Sequence, residues 1–90
     1  MPSKQVIVRG RVQGVGFRYY VLQLALQNAV DGQVWNRFDG AVELVASHPD
    51  HEILDRFIKD LEDGPGAVRS VSVVDHFQTV VPGFTISTSR

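Results

Sequence analysis

The 90-residue sequence predicts an α+β domain, a sheet with two helices laid on one face, its elements in the order βαββαββ. Three observations point there. Residues 4–12 alternate apolar and polar positions and are rich in Val and Ile, the pattern of a half-buried strand. Two stretches carry apolar residues at helical spacing, around Phe17–Ala25 and Ile53–Leu61. Between them, Asp39-Gly40 is a hairpin signal, because both residues tolerate positive φ.

The elements follow in order. The first strand spans residues 4–12 and ends at Gly10 or a little beyond. The Gln13–Gly16 loop, with two glycines around Val15, leads into a helix from about Phe17 to Asn28, whose stripe is Phe17, Tyr20, Val21, Leu24 and Ala25. Val30–Asn36 and Ala41–Ala46 form strands two and three on either side of the hairpin. Ser47, Pro49 and Asp50 predict the second helix's start, with Ser47 as a capping side chain and proline supplying a preset φ. Ile53, Leu54, Phe57, Ile58 and Leu61 form its apolar face, while Asp50, Glu52, Arg56, Lys59 and Asp60 stay solvated. Gly64-Pro65-Gly66 stops that helix, Val68–Phe77 is strand four, and after Pro82-Gly83 a short last strand turns Phe84 and Ile86 toward the core. This order implies a ferredoxin-like split βαβ sandwich with an antiparallel sheet, filling residues 1–90 as a single domain.

Composition narrows the function. With no cysteine, a thiolate nucleophile, a disulfide framework and a cysteine metal site are all excluded. The N-terminal run is broken by Arg9, Gly10 and Arg11, so it is neither a signal-peptide core nor a membrane span, and a cytoplasmic location is expected. The net charge of −1 conceals an asymmetry: residues 1–30 hold Lys4, Arg9, Arg11 and Arg18 and no acidic residue, whereas residues 31–90 hold five basic and ten acidic ones. Such a distribution allows a local anion site but lacks the broad basic footprint of a nucleic-acid binder.

The segment from Gly10 to Arg18, GRVQGVGFR, is a glycine-containing turn between a strand and a helix, with an arginine in the first helical turn. Glycines allow successive backbone N–H groups to face one concavity, and the helix N-terminus adds unpaired donors and the positive end of its dipole. Arg18 lies off the apolar stripe and is free to grip phosphate oxygens bidentately. Residues Gln13, Gly14, Val15, Gly16, Phe17 and Arg18 therefore read as a phosphate cradle. It is not a Walker A loop, which needs Gly-Lys-Ser/Thr, nor a dinucleotide fingerprint, whose third glycine is replaced by Tyr19. In a cysteine-dependent phosphatase loop the nucleophile would fall on Val12, so the attacking group is water.

Together with Gly32–Glu43, which contains Asn36 and the Asp39-Gly40 hairpin, this loop closely resembles the two signatures of the acylphosphatase family. The resemblance extends over nearly the whole chain and includes Gly64-Pro65. It implies hydrolysis of acyl phosphates to carboxylate and inorganic phosphate, with Arg18 binding the substrate phosphate and Asn36 orienting the attacking water. No cofactor or metal is implied. An acyl phosphate leaves as a stable carboxylate, so no general acid is required, and positioning with electrostatic stabilisation suffices. An amide suits the asparagine's role because it accepts and donates at any pH. The chain departs from frequent family residues at Asn28-Ala29-Val30, where Leu-Gly-Leu is common, at Gly32-Gln33-Val34-Trp35-Asn36, where Gly-Trp-Val-Arg-Asn is common, and at Ser47 or His48, where glycine is common.

If strand two lies beside strand one, Asn36 and the loop share one edge of the sheet. The competing reading is a non-catalytic anion-binding or regulatory ferredoxin-like module. An RNA-recognition domain is disfavoured, because strand one reads VIVRG without the expected aromatics. His48 and His51 with Asp50 and Glu52 read as capping and surface residues in preference to a metal site. Trp35, Tyr19 and Tyr20 read as packing or rim residues, and Arg9 and Arg11 as solvated strand positions. A monomer acting on small acyl phosphates, without nucleic acid or membrane partners and with broad tolerance for the acyl group, is the expectation.

Overall fold

The computed structural model describes residues 2–90, and Met1, where the expected domain begins, lies outside the described residues. The elements are β1 (Ser3–Arg11), α1 (Phe17–Gln27), β2 (Asp31–Asn36), β3 (Val42–Ser47), α2 (His51–Asp60), a 3₁₀ turn (Leu61–Asp63), β4 (Ala67–Asp75) and β5 (Phe84–Ile86). The sheet order is β4-β1-β3-β2-β5. Strand β3, not β2, is therefore the neighbour of β1, which corrects the adjacency expected from the sequence. The first four strands pair antiparallel, and β5 joins the edge of β2 in parallel, making the sheet mixed.

One face of the sheet is apolar because the pairing aligns like with like. Val6 pairs Leu44, which pairs Val34, and in the next row Val8 pairs Val42, which pairs Asn36. Both helices cover this face. Phe17, Val21 and Ala25 of α1 and Leu54, Phe57 and Ile58 of α2 join Val6, Val8, Val34, Val42, Leu44 and Ala46 in one buried cluster, with Leu61 contributed by the 3₁₀ turn. Each such aliphatic or aromatic side chain contributes roughly 1.5–3 kcal/mol when removed from water. Gly64 leaves room for two rings of α1, since a Cβ there would meet Phe17 at 2.5 Å and Tyr20 at 3.0 Å. The Tyr20 hydroxyl donates to the Asp60 carbonyl at 2.7 Å, tying α1 to the end of α2, and burial pushes its pKa up, followed by the nearby Asp63 and Asp60 carboxylates.

Three local expectations are revised. Ser47 does not cap α2: it is buried at the end of β3 and its Oγ donates to the Pro2 carbonyl. Asp50 is the cap, accepting from the amides of Glu52 (2.9 Å) and Ile53 (3.4 Å), while His48 Nδ1 accepts from the Asp50 amide. A carboxylate next to the first turn also opposes the positive end of the helix dipole. Ile86 lies on the helix-bearing face, in register with Val34, but at the sheet's edge it remains 40% exposed. Helix α1 ends at Gln27, one residue before the expected Asn28, whose side chain turns back to donate to the Leu24 carbonyl.

Ala29 follows with φ 54, the single non-glycine residue at positive φ among the described residues, at one of the positions where the sequence departs from a frequent glycine. An L-residue in this region costs roughly 1–2 kcal/mol, of which the greater unfolded-state freedom of glycine returns part. Ala29→Gly should accordingly stabilise the protein by about 0.5–1 kcal/mol, read as a higher urea midpoint with an unchanged slope.

Candidate active site

The loop between β1 and α1 is shaped by two left-handed glycines, Gly14 (φ 73) and Gly16 (φ 82). A Cβ at either would touch nothing within 4 Å, so backbone conformation and not lack of space is what calls for glycine there. Gly16 is also the N-cap of α1, and no side chain caps this end. The first amide to turn inward is that of Tyr20, which donates to the Gly16 carbonyl at 3.0 Å. The amides preceding it are the donors that a helix N-terminus leaves without intrahelical partners.

These groups border a cavity of about 190 Å³ lined by Val12, Gly14, Gly16, Phe17, Arg18, Tyr19, Asn36 and Ile86. Arg18 and Asn36 thus meet in one concavity, with Arg18 the one charged side chain in its wall among the described residues. The buried carbonyl oxygen of Asn36 has no protein hydrogen-bond partner among the described residues. Asn36 itself is held by its backbone: its carbonyl accepts from the Arg90 amide at 2.8 Å, and it pairs with Val42 across the sheet. An anion facing Arg18 and the helix N-terminus, beside the buried and unpartnered Asn36 Oδ1, is what this arrangement accommodates.

Comparison with known proteins supplies the family. The acylphosphatase family model matches residues 4–86, which hold both helices and all five strands apart from Ser3 at the start of β1. The chain belongs to the acylphosphatase family. It is 43% identical over 72 residues to an acylphosphatase of Nitrobacter hamburgensis, covering 80% of this chain and 72% of that one. To an acylphosphatase of Enterococcus faecalis it is 43% identical over 75 residues, 83% and 81% of the two chains. The crystal structure of acylphosphatase from Bacillus subtilis superposes with a TM-score of 0.89 at 37% identity, covering 97% of this chain and 99% of that one.

Of the cradle residues expected in this acylphosphatase, Gly14, Gly16, Phe17 and Arg18 line the cavity, whereas Gln13 and Val15 do not. Val15 packs on the core, and the Gln13 side chain is committed elsewhere. Its Nε2 donates to the carbonyls of Arg37 (2.7 Å) and Ala41 (2.9 Å), clamping the loop to the β2–β3 hairpin that begins just after Asn36. Sequence reasoning missed this clamp, because its partners are backbone carbonyls far away in the chain. It also missed Ile86 as part of the wall, although Tyr19 was expected at the rim.

The hairpin is held from its other side by charge. Arg37 donates through Nε and Nη2 to Asp39 and through Nη1 to Glu43, and Arg9 approaches Asp39 at 3.3 Å. Arg9 is thus paired, not simply solvated. These bonds, led by Arg37 and then by the Ala41 amide, lower the Asp39 pKa from 3.8 to about 2. Trp35, on the face away from the helices, is buried under Arg90, whose guanidinium lies 4.1 Å from the ring centroid. Among the described residues no group of three or more His, Cys, Asp or Glu is arranged to hold a metal ion, His48 and His51 included. Among the described residues no helix is long and apolar enough to cross a membrane.

A carboxylate whose pKa falls on folding stabilises the native state above its unfolded pKa and loses that contribution as pH drops through the folded value. Wild type should therefore exceed Asp39→Asn in stability above about pH 4, the gap closing toward about pH 2, as followed by urea unfolding across that range. Gln13→Leu keeps the side chain's bulk but deletes both donors to the hairpin and should cost about 1–3 kcal/mol. Equilibrium unfolding of that variant measures the clamp.

Proposed function

We propose that the chain hydrolyses the carboxyl-phosphate bond of acyl phosphates by direct attack of water, with Arg18 and the loop amides holding the phosphoryl group and Asn36 orienting the nucleophile. The observation that carries this is the meeting of Arg18 and the unpartnered Asn36 carbonyl in one small cavity at an uncapped helix N-terminus. Residues 1–90 are read as one acylphosphatase-like domain working as a monomer. A cytoplasmic location fits a charged substrate that does not cross a bilayer unaided.

The reaction asks for little beyond this. As the water oxygen bonds to phosphorus, the P–O bond to the acyl group breaks, its electron pair leaves on the carboxylate, and the water proton passes to solvent. Carboxylate is a good leaving group at neutral pH, so no side chain must protonate it. Charge on the equatorial phosphoryl oxygens is met by the guanidinium, by backbone N–H groups and by the positive end of the α1 dipole. These donors are preorganised: two glycines fix the loop, and the Gln13 clamp holds it against the strand end that carries Asn36. The Asn36 carbonyl accepts a hydrogen bond from water and leaves an oxygen lone pair aimed at phosphorus.

Hydrolysis of a chromophoric acyl phosphate in EDTA tests the reading against a module that binds anions without turning them over. Arg18→Ala should lower kcat/KM by about 10²–10³-fold and weaken inhibition by inorganic phosphate. Asn36→Ala should lower kcat by a similar factor of about 10²–10³ while phosphate still binds. Phosphate binding without wild-type turnover would establish the regulatory alternative, and full activity in both folded variants would place the site elsewhere.

A further inference from the structure

The cavity wall has two parts of different chemistry. One part of it carries the anion-directed groups: Arg18, the loop glycines and Asn36. Its mouth carries Tyr19 and Ile86, which are 62% and 40% exposed although both are large and apolar. Single exposed apolar residues are ordinary on a protein surface and need no explanation. These two differ because they come from separate elements, the first turn of α1 and the β5 edge, and meet on the same small cavity.

The chemistry of the wall bears on what stands in the mouth. A phosphoryl group held by Arg18 and the loop amides directs its acyl substituent away from those donors, toward open solvent and therefore past the mouth. Apart from Arg18, the cavity lining contains no charged side chain. The nearby Arg9 and Arg37 are engaged by Asp39 and Glu43. No second cation in the wall thus offers a partner to an acyl group bearing its own anion, while an aromatic ring and a branched aliphatic chain offer surface to an apolar one.

Resting on the function proposed above, we propose that Tyr19 and Ile86 form an apolar lip that contacts the acyl group and makes the enzyme selective for acyl phosphates with an apolar, especially aromatic, acyl part. The contact forms as water leaves the facing apolar surfaces, with ring-on-ring packing possible for an aromatic acyl group. The lip takes no part in bond making or breaking. It narrows the broad acyl tolerance expected for a bare phosphate cradle.

The test compares kcat/KM for benzoyl phosphate and acetyl phosphate in wild type, Tyr19→Ala, Tyr19→Phe and Ile86→Ser. Intrinsic reactivity of the two substrates is the same for every variant, so a change in their ratio reports the enzyme's contact with the acyl group. The benzoyl-to-acetyl ratio should fall about five- to tenfold in Tyr19→Ala, the size expected for loss of one aromatic contact, and should fall also in Ile86→Ser. Tyr19→Phe, which keeps the ring, should retain the wild-type ratio. A ratio that stays constant across active variants overturns the lip and leaves the hydrolase assignment standing. Absence of turnover of both substrates by wild type would instead remove the hydrolase assignment, and the lip with it.

Discussion

Strand polarity is the constraint on which the site depends. β1 and β2 both pair antiparallel with β3, so they run in the same direction and end at the same side of the sheet. The end of β1 delivers the glycine loop and Arg18, and the end of β2 delivers Asn36. Because Val8, Val42 and Asn36 lie in one row of the sheet, Asn36 also shares the face on which α1 packs. Two groups 18 residues apart in sequence are thereby presented to one cavity by backbone pairing.

Around that frame the molecule divides its polar groups by task. Glycines at positive φ and a helix start without a side-chain cap leave backbone donors unpaired beside the cavity, in a loop conformation that is costly for other residues. At α2, where no anion is to be held, Asp50 occupies the corresponding donors. One small fold thus contains a helix start capped by a side chain and another, at the proposed phosphate cradle, that is not. Arg37 shows the same division among cations: adjacent to Asn36 in sequence, it points to the hairpin and is consumed by Asp39 and Glu43, leaving Arg18 as the cavity's cation.

The open face of the sheet is stabilised differently. There Gln5 bonds Glu43, and the last residues of the chain lie along β2, with the Arg90 amide donating to the Asn36 backbone carbonyl and the Arg90 carbonyl accepting from the Phe38 amide. The Arg90 guanidinium covers Trp35, so an aromatic residue that would otherwise stand bare on a solvated face is buried by a cation. The backbone of the residue that carries the proposed water-orienting amide is thus held by β3 on one side and by the segment after β5 on the other. Rigidity at that position matches a task of geometry, since an amide oxygen misplaced by an ångström would orient water poorly.

Much of this was legible in the chain. Alternation and helical stripes disclosed the element order, because burial on one face imposes periods of two and 3.6 residues wherever the elements lie. The spacing of the glycines before Phe17 and of Arg18 after it marked the loop proposed as the cradle, and Gly14, Gly16, Phe17 and Arg18 do line the cavity, because a strand-to-helix turn is local in sequence. Other features required the folded chain. That β3 separates β1 from β2, that β5 adds in parallel, and that Gln13 reaches the Arg37 and Ala41 carbonyls are choices among partners distant in sequence, which local pattern does not rank. The cap exchange from Ser47 to Asp50 has the same origin, since the end of β3 keeps Ser47 in the sheet for a bond to Pro2. Ile86 was correctly assigned to the helix-bearing face, but only the sheet's edge decided that it would line the cavity instead of filling the core.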